Sequence, residues 1–281
     1  MQGNVFVALS VVVLAWVAFY LAAVALKLGR FGLEIHPLYV MYKSTRLNSL
    51  LIRLGRWRPG LWRVFGNVGV ASFFGQVLFM AYVLLQNLYR FLYVPGEASP
   101  VMPLIPGVTI SFPSLPWFLV AAGVVILLHE LSHGVMCVVE GVPVRSAAVL
   151  LAVLTFGGAV EPDEEAMNSA GMMSKLRIFA SGSLVNLITG LLVVVVLTVA
   201  GGGLPVAVAV FLHWLYFISV NLAMVNMLPV YPLDGGQMAR AYLASKPEWG
   251  RAVERVAMFG FIGLMASNLL LSLIRFGLIP L

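Results

Sequence analysis

Six stretches of this chain are apolar for long enough to cross a bilayer as helices, and nothing else in the sequence bounds the fold so tightly. They cover residues 5–26, 64–89, 117–139, 178–200, 204–230 and 257–273, against a hydrocarbon core that takes about 20 helical residues to span. A seventh, 146–160, is too short to cross and rich in Val and Leu. It reads as a membrane-inserted β hairpin or re-entrant strand, which needs protein or water around its backbone. The expected fold is therefore an all-α polytopic membrane protein, with six transmembrane helices and that hairpin after the third. Composition agrees: 61% of residues are hydrophobic and 10% charged, where a soluble domain has about 45–50% and about 25%.

The net charge of +6 raises nucleic acid as a partner, but the placement of the charges excludes it. They occupy short connections between apolar spans, as topology signals do. Lys27, Arg30, Lys43, Arg46, Arg53, Arg56, Arg58 and Arg63 lie between the first two spans. Arg145, Lys175 and Arg177 follow the third, and Arg240, Lys246, Arg251 and Arg255 follow the fifth. Fifteen of the 17 basic residues thus share one side, with Arg90 and Arg275 on the other. That side is expected to be cytoplasmic, with both termini outside, in a prokaryotic cell membrane. The first span lacks a basic n-region and reads as retained rather than cleaved. Residues 1–95 are expected to form two accessory helices with a basic loop, and 96–281 a core of four helices. The loop at 27–63, basic and rich in Leu, Trp and Tyr, is expected to lie on the anionic leaflet. Gln76, Gln86 and Asn87 have two readings, as the lining of a substrate gate or as bridges between helices, and the second is favoured.

Inside the third span runs His129-Glu130-Leu131-Ser132-His133. Residues i and i+4 share a helix face, so both imidazoles can reach one ion, with the glutamate between them placed to deprotonate water. Burying such groups in a membrane is costly, and their presence there points to function. A catalytic zinc takes three protein ligands and keeps a position open. Cys137 continues the i, i+4, i+8 row, but that row extends about 12 Å, too far for bonds of about 2.0–2.3 Å. It is expected to be a small buried residue, and His36 and His213 to be structural. Asp163 sits in Glu161-Pro162-Asp163-Glu164-Glu165 and reads as a solvated helix start. Asp234 sits in 226–236, where Pro229, Pro232 and Gly235-Gly236 break the fifth span and can turn a carboxylate inward. One crossing separates the third and fifth spans, so they run parallel and their motifs can meet.

These residues resemble the site-2 protease family of intramembrane zinc metalloproteases. The likeness rests on His129 through Gly134, on 226–236 as an N-x-x-P-x-x-P-L-D-G-G pattern, and on Ala180-Ser181-Gly182-Ser183-Leu184-Val185-Asn186. In the last of these, Ser183 replaces the family's usual proline. The resemblance implies one zinc ion held by His129, His133 and Asp234, with Glu130 as general base. It also implies substrate contacts at Asn226, at Asn186, and along the Gly157–Gly158 strand, which would pair with an unwound substrate. Substrates would be single-span membrane proteins within the lipid bilayer, cut in the cytoplasmic half. Many relatives carry a PDZ domain or CBS pair, and no such module is read in these residues. Competing readings are a membrane metal transporter, a catalytically silent relative that binds membrane proteins, and a prenyl-protein protease with a Glu third ligand.

Overall fold

The computed structural model describes residues 2–44, 48–105, 108–152, 156–246 and 248–277. Among them, five helices are long and apolar enough to cross a membrane: α3 (Pro59–Tyr93), α4 (Leu115–Val139, with a 3-10 turn before it), α6 (Met172–Ala200), α7 (Val206–Asn226) and α9 (Glu248–Phe276). A further apolar helix, α1 (Gln2–Ala25), precedes them, and Val13–Ala25 within it stands as a shorter apolar helix. Short helices α2 (Asn48–Arg56), α5 (Glu164–Ser169) and α8 (Asp234–Leu243) join the long ones. Arg46, counted with the basic residues above, and the tip of the expected hairpin at 153–155 lie outside the described residues.

Breakers in the sequence set the ends of the long helices. Pro59 opens α3 directly after Arg58, and Pro116 lies in the first turn of α4, where a missing N–H costs nothing. Gly201 and Gly202 end α6 at φ 52° and 87°, a left-handed exit open to residues without a Cβ. Past Asn226, Pro229 and Pro232 keep α7 from continuing, and the chain restarts as α8.

Two antiparallel strands occupy the stretch of the expected hairpin, β3 (Val144–Ala152) and β4 (Phe156–Pro162), with Leu150 opposite Gly157 and Val149 opposite Gly158. They are half of a larger sheet. The basic segment read as a loop supplies β1 (Leu33–Ile35) and β2 (Tyr39–Ser44), giving one antiparallel sheet in the order β1-β2-β3-β4. His36 stacks on Tyr39 in the β1–β2 turn, and Trp16 of α1 donates to the Pro37 carbonyl at 2.7 Å. Leu33-Glu34-Ile35 alternates apolar and charged residues as a strand does, whereas Tyr39-Val40-Met41-Tyr42 has no such alternation. The sheet's far edge, β4, lies along α4. A bulge between Val144 and Ser146 accompanies an ion pair between Arg145 and Asp163 at 2.9 Å. Asp163 caps α5 through the Ala166 amide. That amide and the Arg145 guanidinium hold its carboxyl below the usual range, in keeping with a helix-starting role.

The rest of the basic segment packs rather than floats. Leu51 of α2 is fully buried over Gly134, where a Cβ would stand 2.7 Å from its Cδ1. Gly55 gives α2 its close approach to Val138 of α4, the helix that also carries Gly134. Asn87 does bridge helices: its Nδ2 donates to Asn268 of α9 at 3.0 Å and to the Ser99 carbonyl at 3.0 Å. Gln76 instead bonds within its own helix, to Ser72.

Glu140, just past α4, joins three elements. Its side chain is 5% exposed and accepts from Arg177 at 3.1 Å and from Ser174 at 2.6 Å, with Arg63 at 3.7 Å. Glu140→Gln removes the charge that both guanidinium groups face. A charge-assisted hydrogen bond contributes about 1.5–3 kcal/mol, so the variant is expected to melt several degrees lower in detergent, with no loss of bound metal. A melting curve matching wild type would refute this.

Candidate metal centre

The centre forms where α4, α6 and the α7–α8 turn converge. His129 and His133 are one helical turn apart on the face of α4 that looks toward α6. Ser132 between them donates to the Ser181 carbonyl of α6 at 3.0 Å and locks that contact. Such close packing needs Gly182: a Cβ there would collide with His133 Nε2 and stand 2.8 Å from His129 Nδ1. Asp234 arrives from the other side as the first residue of α8. Its position depends on Gly235 and Gly236, whose missing Cβ atoms let α8 rest on the backbone of Met227–Leu228 and Val230–Tyr231.

Three donor atoms meet. His129 Nε2 lies 3.2 Å from Asp234 Oδ2, His133 Nε2 lies 3.3 Å from it, and the two Nε2 atoms are 3.1 Å apart. A tetrahedral ion with bonds of about 2.0 Å sets its ligands about 3.3 Å apart, so the triangle has the size a zinc ion requires. The chemistry of the donors agrees. His133 must donate through Nδ1 to the Ile178 carbonyl, 2.7 Å away, which leaves its Nε2 lone pair facing the triangle. Among the described residues, His129, His133 and Asp234 are the one group of three or more His, Cys, Asp or Glu side chains placed to hold a metal.

Glu130 is half-buried on the adjoining face. Its Oε2 accepts the Val160 N–H of β4 at 2.9 Å, which orients the carboxylate beside the triangle. Gly158 explains how the strand passes so close, since a Cβ there would stand 2.8 Å from Glu130 Cγ. A Cβ at Gly157, the other expected strand residue, would meet nothing within 4 Å among the described residues. A cleft of about 260 Å³ reaches the centre, lined by His129, Glu130, Val160, Asn226 and Asp234 among others.

Asn226 ends α7 with its Nδ2 3.1 Å from His129 Nε2 and 3.4 Å from Asp234 Oδ2. Asn186 of α6 is fully buried behind His129, its Nδ2 3.0 Å from the ring Nδ1. Cys137 is buried and lines the cleft wall outside the donor triangle. His213 bonds to the Ala209 carbonyl of its own helix. Sequence reasoning missed the roles of Gly182 and of helix α8, and passed over Gly182 although it lies in a quoted motif.

The chain is similar to known proteins over the part that holds this centre. The model of peptidase family M50 matches residues 117–210 and 203–267, which hold every candidate site residue. A membrane-bound transcription factor site-2 protease homolog of Arabidopsis thaliana is 28% identical over 200 residues, 70% of this chain and 37% of that one. The putative zinc metalloprotease Rip3 of Mycobacterium tuberculosis is 33% identical over 147 residues, 50% of this chain and 36% of its own length. The zinc metalloprotease MJ0392 of Methanocaldococcus jannaschii is 26% identical over 205 residues, 67% of this chain and 56% of its own. The chain thus spans about a third to just over half of the length of these relatives. With several apolar helices and a family match over more than half of its residues, this is an integral multi-pass membrane protein that belongs to peptidase family M50.

Proposed function

We propose that the chain is an intramembrane zinc metalloprotease that hydrolyses peptide bonds within or near the transmembrane segments of single-span membrane proteins. The observation that carries this reading is the triangle of His129, His133 and Asp234 donor atoms, with sides of 3.1–3.3 Å, and Glu130 beside it in an apolar helix bundle. Zinc held there would polarise a scissile carbonyl and lower the pKa of water. Glu130 takes the proton of the attacking water and passes it to the leaving amine. Asn226, with its amide directed into the centre, is placed to bind a substrate carbonyl. The β4 edge at Gly157–Gly158 offers backbone groups to an extended substrate segment.

Counting α1 as a span gives six crossings, both termini outside, and the basic residues of α2 and α8 on the cytoplasmic side. His129 stands ten residues before the end of α4, about 15 Å along the axis, so the centre falls in the cytoplasmic half. We read residues 96–281 as the catalytic core and 1–95 as an accessory segment held to it by α2 and α3.

A metal transporter would need a polar path through several spans. The buried polar side chains of α3 and α9 include Asn87 and Asn268, which bond to each other. Proteoliposomes separate the two readings. The purified, zinc-loaded protein is expected to release peptides from a co-reconstituted single-span protein, and a chelator to stop the release, with no zinc flux across the vesicle. Zinc flux without peptide release would overturn the proposal.

A further inference from the structure

His129 has an amide nitrogen against each of its ring nitrogens: Asn186 Nδ2 at 3.0 Å from Nδ1 and Asn226 Nδ2 at 3.1 Å from Nε2. A neutral imidazole has one lone pair, so it accepts one of these bonds and not both. Asn226 is fixed as drawn. Its Nδ2 also lies 3.4 Å from Asp234 Oδ2, and turning that amide would set an oxygen against a carboxylate. Nε2 also faces the donor triangle, so the lone pair belongs there. Nδ1 must then carry the proton, and the group facing it must accept. Asn186 has that acceptor in Oδ1, which is buried with no other partner among the described residues. Turning the amide exchanges one unpartnered atom for another and breaks no other bond.

We infer that Asn186 is a positioning residue that accepts the Nδ1–H of His129 through Oδ1, fixing the tautomer whose Nε2 binds metal. It does for His129 what the Ile178 carbonyl does for His133: each ring is held by an acceptor from α6, one a backbone carbonyl and the other a side-chain amide. Asn186 is fully buried, and this role takes the place of the substrate contact implied by the resemblance. The inference rests on the proposed zinc site.

Outer partners of metal-binding histidines alter metal affinity by about 10- to 100-fold. Asn186→Leu, close in shape but without an acceptor, is expected to weaken zinc binding by that factor in chelator competition. Asn186→Asp, which restores an acceptor, is expected to hold zinc within a few-fold of wild type. Zinc affinity unchanged in Asn186→Leu, or an Asn186→Asp variant that loses it, would overturn the inference while leaving the protease reading intact. Wild-type protein that binds no zinc would instead sink the protease reading. A measurement on the unaltered chain decides even if the leucine variant does not fold. The chain has four histidines, so ¹⁵N-histidine NMR of the zinc-loaded protein can resolve His129. Its Nδ1 is expected to be the protonated nitrogen, and a protonated or unliganded Nε2 refutes the assignment.

Discussion

Glu130→Gln is expected to stop peptide release while the protein keeps its zinc. Glu130 is outside the donor triangle, so the metal is not disturbed. The anchor to β4 also survives, because a glutamine oxygen accepts the Val160 N–H as the carboxylate does at 2.9 Å. What disappears is the capacity to take a proton, a contribution of about 10²–10⁴ in rate, or about 3–5 kcal/mol in the barrier. Mass spectrometry of peptides released by wild type and by the variant measures the loss, and metal analysis of the same samples checks the zinc. Release at the wild-type rate would remove Glu130 from the mechanism.

The second large effect comes from a residue with no functional group. Gly182→Ala would place a methyl in the space occupied by His133 Nε2 and within 2.8 Å of His129 Nδ1. Neither side has room to move away. The α4–α6 contact is locked by Ser132 on the Ser181 carbonyl, and Ser181 itself is fully buried. The rings must therefore rotate, and misplacement on the ångström scale costs on the order of 100-fold. Zinc affinity and peptide release are both expected to fall by at least that factor. Helix propensity acts in the opposite sense, favouring alanine by about 1 kcal/mol, so a fall cannot be blamed on an unstable α6. Affinity within a few-fold of wild type would show that the α4–α6 interface yields more than its hydrogen bonds suggest.

Much of this centre was legible before any coordinates, and the reason is physical. His129 and His133 share a helix face by periodicity alone. Asp234 was reachable because its parallel span ends in two prolines and a glycine pair, which together break a helix and free its backbone. The basic segment was harder. Its charges invited a surface reading, while β1 and β2 are short, and their partner β3 is distant in the chain, so local pattern alone did not join them. Helix α8 was hidden for a related reason. Gly235 and Gly236 read as breakers, whereas here they let a new helix begin against the backbone of the turn it leaves. Gly182 shows the limit most plainly, because a glycine's use lies in what stands opposite it. For Asn186 the motif gave the position, and only its burial behind a ring gave it a partner.

The donor triangle also ties folding to ion supply. Two of its corners belong to one rigid helix and the third to the first turn of α8, far along the chain. An ion bound at all three corners is a clasp between segments that otherwise meet through packing and a few polar contacts, those of Asp234 and Asn226 with the imidazoles. By mass action, free zinc at a hundred times its dissociation constant adds about 2.7 kcal/mol to the closed arrangement. That gain vanishes on depletion and falls on the turn between α7 and α8. The part of the molecule that brings in the carboxylate is thus the part whose order follows the metal content of its surroundings.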